Sequence, residues 1–143
     1  MTHTEDRKIA DAAHRPRVMI VDDDADMRAL LRDVLERDGF LVREHATGIG
    51  LMPALESWRP AAIVLDNVMA GTTGLDLLSP IRRRHPTTPV VLVTAFGGSE
   101  TEATARRLGA THYLDKPFRV GRLVAMLRSA LAHARHEDRR RPE

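Results

Sequence analysis

Residues 18–39, VMIVDDDADMRALLRDVLERDG, change their hydrophobic period halfway, and that change decides the fold class. Val18 to Val21 is an unbroken apolar run, rich in branched side chains and short enough for a strand covered on both faces. It stops abruptly at Asp22-Asp23-Asp24. From Met27 the spacing becomes helical: Met27, Leu30, Leu31, Val34 and Leu35 share one stripe, with Asp24 or Asp26 placed to cap its start and Gly39 to end it.

The same alternation runs down the chain. Phe40 to His45 reads as a strand and Ile49 to Trp58 as a helix stopped before Pro60, with Pro53 in its first turn counting against it. Ala61 to Leu65 is the next buried strand and ends at Asp66. Leu75 to Arg84 reads as a helix closed by His85-Pro86, Val90 to Val93 as a strand ending at Thr94, and Thr101 to Leu108 as a helix ending at Gly109. His112 to Leu114 is a short strand and Val120 to Ala134 a final amphipathic helix. The pattern predicts a single domain over residues 17–134, preceded by a polar, disordered leader (1–16) and followed by a charged tail (135–143). Wholly apolar strands joined by helical crossovers call for an α/β fold, a doubly wound five-stranded parallel sheet, which takes its ligand beyond the strand C-terminal ends.

Composition narrows the chemistry. A chain of 143 residues can bury on the order of 70% of its unfolded surface, so no disulfide or metal staple is required. With no cysteine there is neither a thiolate metal site nor a cysteine nucleophile. The net charge of +2 lies in the two ends, because residues 18–134 carry 14 bases and 14 acids. The body therefore offers no global field for phosphate backbones, and no direct nucleic-acid partner is expected. No apolar stretch reaches the length of a membrane span and no signal peptide precedes the domain, so the expectation is a cytoplasmic protein without membrane insertion. Of the 22 basic residues only Lys8 and Lys116 are lysines, which leaves Lys116 alone within the predicted domain.

At the strand ends stand Asp22 and Asp23, Asp66, Thr94, and Asp115-Lys116-Pro117. In a doubly wound sheet these ends can converge. Carboxylates brought together away from water repel one another unless a cation joins them, and all-oxygen donors suit Mg²⁺. A metal, a hydroxyl and an ammonium around one free carboxylate suit phosphoryl transfer, with Asp66 as the nucleophile and an aspartyl phosphate as the product.

The blocks VMIVDDDADMRALL, IVLDNVMAGTTGLDLL, VVLVTAFG and HYLDKPF resemble, in order and spacing, those of bacterial two-component response-regulator receiver domains. The resemblance implies a flavodoxin-like strand order 2-1-3-4-5 and a phosphoryl group received from a sensor histidine kinase or a histidine phosphotransfer protein. It implies that Asp66 is the phosphoacceptor, and that Asp22, Asp23, Asp66 and the Val68 carbonyl hold Mg²⁺. Thr94 matches the switch hydroxyl, Lys116 the lysine that reaches the phosphoryl group, Pro117 a cis-proline, and Tyr113 the aromatic whose rotamer follows Thr94. The output implied is a protein partner, or a second copy in a homodimer, on the face of the fourth helix, fifth strand and fifth helix. Such a chain is a phosphoacceptor rather than an enzyme, although it promotes its own phosphorylation and dephosphorylation.

Two departures stand out. Ala70 replaces a frequent proline and is expected to loosen its loop. Val68 and Phe96 occupy positions that tune phosphate lifetime, and neither can orient an attacking water, so self-dephosphorylation is expected to be slow.

Plainer roles compete for several of these residues. The acidic run can serve a helix N-terminus, most readily at Asp24; Thr94 can be a strand-end cap, and Tyr113 packing on an edge strand. His45, His85 and His112 lack ligand spacing, Trp58 and Phe118 read as core anchors, and Arg82-Arg83-Arg84 and Arg139-Arg140-Arg141 as solvated charge runs. Among other functions, a receiver portion of a larger transcription factor or hybrid kinase shares these blocks, but the nine residues after Ala134 are too few for a helix-turn-helix. A haloacid-dehalogenase-type phosphatase needs an acid where Val68 stands, and a flavodoxin phosphate would be repelled by Asp22 to Asp24.

Overall fold

The computed structural model describes residues 15–140, so most of the predicted leader lies outside the described residues. Five strands, β1 (Arg17–Val21), β2 (Leu41–His45), β3 (Ala62–Asp66), β4 (Val90–Thr94) and β5 (His112–Asp115), form one sheet. All neighbours are parallel, and the strand order is β2-β1-β3-β4-β5. Helices α1 (Ala25–Arg37), α2 (Leu51–Trp58), α3 (Gly74–Arg84), α4 (Ser99–Leu108) and α5 (Val120–Arg140) make the crossovers or follow the last strand.

The period-two alternation of each strand sorts its side chains between two cores. Val18 and Ile20 join Val64, Val91 and Val93 against Leu31, Leu35, Leu123 and Leu127 of α1 and α5. Met19 and Val21 join Ile63, Leu65 and Leu92 against Leu51, Leu55, Leu78, Ile81 and Ala105 of α2, α3 and α4. A strand buried on both sides tolerates no polar side chain until it leaves the sheet, which is why β1 from Val18 and β3 from Ala62 are apolar up to Asp22 and Asp66.

Asp24 is the N-cap of α1, accepting from the amides of Asp26 and Met27, and Gly39 turns the chain away at a φ of +97°. Two elements depart from expectation. α5 continues to Arg140, past Ala134, because residues 135–140 contain no glycine or proline to stop it. The segment after β3 forms a small antiparallel ribbon, Val68–Met69 against Thr72–Thr73, in which Ala70 and a left-handed Gly71 make the turn.

Arg82 is a correction to the solvated reading of its run. Burial lowers its pKa, and its guanidinium donates to the carbonyls of His85, Pro86, Thr88 and Gly109, tying the end of α3 to the end of α4. Arg83 and Arg84 are exposed as expected. Trp58 is buried as an anchor, with Arg17 and Arg43 placed over its ring at 5.7 and 5.0 Å, while Phe118 is only partly buried. Among the described residues no helix is long and apolar enough to cross a membrane.

Candidate phosphoacceptor site

The parallel sheet delivers the ends of β1, β3, β4 and β5 to one edge, and the acidic side chains meet there. Asp22 and Asp66 are buried and Asp23 is exposed, yet each offers a carboxylate oxygen within 4.8 Å of the others. Asp24, the third acid of the run, caps α1 instead, so the capping role and the clustering role fall on different residues of one run.

Asp22 is held from several directions. Its amide donates to the His45 carbonyl of β2 at 3.1 Å, and its Oδ1 accepts from the Asp24 amide at 2.9 Å. Its own carbonyl accepts from Arg28 Nη1 at 2.6 Å, and Arg28 Nε lies 3.3 Å from Glu44 on β2. Arg28 was not legible as a site residue, because its polar position on α1 is the spacing any solvated helix face shows.

Asp66 is placed by the backbone that follows it. A Cβ on Gly74 would come within 2.6 Å of the Asp66 carbonyl and 2.8 Å of Leu92, so only glycine lets α3 begin this close to β3. Asn67 adds a clamp: its Oδ1 accepts from the Leu75 amide, and its carbonyl from the Gly74 amide.

Lys116 completes the group. Its Nζ lies 3.1 Å from Asp66 Oδ1 and 3.4 Å from Asp22 Oδ2, and the peptide bond to Pro117 is cis. Burial, and then the charge of Asp22, push the Asp66 carboxyl above its ordinary range; Lys116 opposes them without cancelling them. Burial alone would lower the Lys116 pKa, but the two carboxylates outweigh it and hold the ammonium above its usual value. The site therefore carries excess negative charge even with its lysine in place. Hard oxygen donors around an uncompensated charge fit a small divalent cation such as Mg²⁺.

Thr94, at the end of β4, is fully buried and accepts from the Phe96 amide at 3.1 Å, while its carbonyl accepts from the Lys116 amide at 2.8 Å. Tyr113 is buried too, but its hydroxyl is engaged by Asp115 and Gly98 rather than by Thr94. Val68, in the ribbon that follows β3, and Phe96, in the loop that follows β4, are 48% and 77% exposed. His45 and His85 do not join the site: His45 Nε2 lies 2.8 Å from the Ile49 carbonyl and His85 lies beside Glu56.

Known proteins resemble this chain in sequence and fold. Residues 18–128 match the family model described as the response regulator receiver domain. The nitrogen assimilation regulatory protein NtrX of Azorhizobium caulinodans is 36% identical over 116 residues, which cover 80% of this chain and 26% of that protein. The crystal structure of NtrX from Brucella abortus superposes with a TM-score of 0.81 at 30% identity, covering 87% of this chain and 28% of that one. The solution structure of the beryllofluoride-activated NtrC4 receiver domain dimer gives 0.79 at 27% identity, covering 82% and 98%. The chain thus spans about a quarter of the length of the curated relatives it matches. A match over nearly the whole described region, joined to an acidic cluster and lysine at the expected strand ends, makes this chain a member of the response regulator receiver domain family.

Proposed function

We propose that the chain accepts a phosphoryl group from a histidine kinase or a histidine phosphotransfer protein onto Asp66, and that the modification alters a protein-binding face. The observation that carries this is the Asp66 carboxylate, buried at the end of β3 with Lys116 Nζ at 3.1 Å and two further carboxylates beside it.

An Asp66 oxygen forms a bond to phosphorus as the phosphorus–nitrogen bond of the donor breaks, and the leaving imidazole keeps the electron pair and is protonated from solvent. Lys116 moves no proton in this step; its ammonium neutralises charge on the transferred group and holds the carboxylate in place. The buried Thr94 hydroxyl is the neutral donor at the site's edge. Asp22, Asp23 and Asp66, with the Val68 carbonyl, would hold Mg²⁺, which when bound supplies further neutralisation of the phosphoryl oxygens.

The output face is formed by α4, β5 and α5. A groove of about 470 Å³ there is lined by Glu102, Asp115, Arg119 and Arg122, with Tyr113 among its walls. A partner protein or a second copy of the chain reads this face, a reading supported by the dimer of the NtrC4 receiver. Similarity to the receivers of much longer regulators supports a second reading, in which this module serves such a protein.

Intact-mass analysis after acetyl phosphate treatment tests the site. The expected result is a Mg²⁺-dependent gain of one phosphate in wild type and none in Asp66→Asn. Equal labelling of both proteins would overturn the assignment.

A further inference from the structure

Tyr113 occupies a seat made by three residues, none of them its switch partner Thr94. Its ring lies in the core on the α3–α4 side of the sheet, and the residue is only 7% exposed. Its hydroxyl donates to Asp115 Oδ1 at 2.9 Å and accepts from the Gly98 amide at 3.2 Å. The third element is an absence of atoms: a Cβ on Gly97 would stand 1.6 Å from the Tyr113 oxygen and 2.4 Å from Asp115 Oδ1. Any other residue at 97 would fill the space the phenol now uses.

We infer that Asp115, with the space left by Gly97, latches Tyr113 in its buried position ahead of phosphorylation, which makes Asp115 a positioning residue of the switch. The inference rests on the receiver reading, because it concerns the tyrosine whose position that reading couples to Asp66.

Three physical points support the latch. Asp115 is exposed and lies two residues from Tyr113 on the same strand, so both side chains leave β5 on one face and the bond forms without distorting the strand. The acceptor is a carboxylate oxygen, so the bond is of the charge-assisted kind, shared with a phenol that is itself buried. The phenol remains the donor, because burial and then the Asp115 bond hold its pKa above the ordinary tyrosine value. Neither Gly97 nor Asp115 is a residue that carries phosphoryl chemistry in the site described above.

The consequence is a shift in the resting population. A switch whose tyrosine is seated by Asp115 starts close to its inward state, and phosphorylation then has less distance to move it. The residue to the C-terminal side of Tyr113 by two therefore sets how far the output face is already formed before any signal arrives.

The sequence holds a single tyrosine and no cysteine, so nitration by tetranitromethane reports on Tyr113 without competition from thiols. The test compares the nitration rate of the full chain in wild type, Asp115→Ala, Asp115→Asn and Gly97→Ala, with the melting temperature of each. Asp115→Ala is expected to nitrate roughly tenfold faster, the order expected for loss of one hydrogen bond to a charged group. Asp115→Asn keeps an oxygen acceptor and should return most of the protection, and Gly97→Ala should expose the ring at least as much as Asp115→Ala. Acetyl phosphate should slow nitration of Asp115→Ala more than that of wild type. Equal rates in wild type and Asp115→Ala overturn the latch, as does equal slowing of both by acetyl phosphate. If no variant gains phosphate at Asp66 while Asp115→Ala still nitrates faster, the receiver reading falls and the seat of Tyr113 stands.

Discussion

Lys116 and Asp66 sit 3.1 Å apart across the end of the sheet, although 50 positions separate them in the chain. One compact ammonium serves two carboxylates, since Asp22 lies 3.4 Å from the same nitrogen. Lys116→Arg keeps the charge but replaces a point donor with a wide planar fork. The variant should still take up phosphate at Asp66, yet phosphate-dependent shifts of the Thr94 and Tyr113 amides in a nitrogen–proton spectrum should shrink several-fold. Shifts of normal size would show that any cation serves here.

Ionised Asp66 should cost the metal-free protein stability, and its removal should show this. Burial and Asp22 raise its folded-state pKa, so ionising it costs more in the folded chain than in the unfolded one. Stability is therefore highest where the group is protonated and falls as pH rises from the ordinary carboxylate range through the raised value. Asp66→Asn should melt a few degrees higher than wild type at neutral pH in a chelator, with the gap closing on acidification. Adding Mg²⁺ should raise the melting temperature of wild type more than that of the variant. A gap independent of both pH and Mg²⁺ would contradict the electrostatic account.

Phosphate loss is expected to be slow, because the exposed side chains at 68 and 96 are Val68 and Phe96 and offer no group to orient water. Val68→Asn combined with Phe96→Glu should accelerate the loss of acetyl-phosphate-derived label several-fold. An unchanged decay rate would mean that these positions do not control access.

Arg82 offers a stability prediction away from the chemistry. Replacing it with methionine keeps much of the apolar stem but removes the guanidinium that donates to the carbonyls of His85, Pro86, Thr88 and Gly109, of which, among the described residues, His85 alone keeps a backbone donor, the Thr88 amide. Arg82→Met should cost about 2–3 kcal/mol in urea unfolding. The exposed neighbour Arg83→Met should stay within about 0.5 kcal/mol of wild type. Both variants should accept phosphate normally.

Much of the fold was legible in local pattern. Val18 to Val21 and Ala62 to Leu65 are apolar throughout because both sheet faces are covered, and the helical stripe from Met27 to Leu35 follows from packing one side of α1 on that sheet. Helix limits were less visible. α5 runs on through residues 135–140 since nothing there breaks a helix, even though the apolar stripe that drew attention to it ends near Leu131. The run Arg82-Arg83-Arg84 reads as one charged unit, but a helix points adjacent residues in different directions, and only Arg82 faces the carbonyls at the end of α4.

The sequence by itself determined which groups are available: three acids at two strand ends, a buried-strand threonine, and one lysine in a domain that otherwise uses arginine. Short-range chemistry is written in such spacing, because a strand's length and a helix's cap depend on a few neighbouring residues. Only the tertiary structure decided which two acids flank Asp66, that Arg28 braces the Asp22 carbonyl, and that Gly97 leaves the gap in which the Tyr113 hydroxyl meets Asp115. Those relations join separate strands, helices and loops, and they exist only once the parallel sheet has brought its strand ends to one edge.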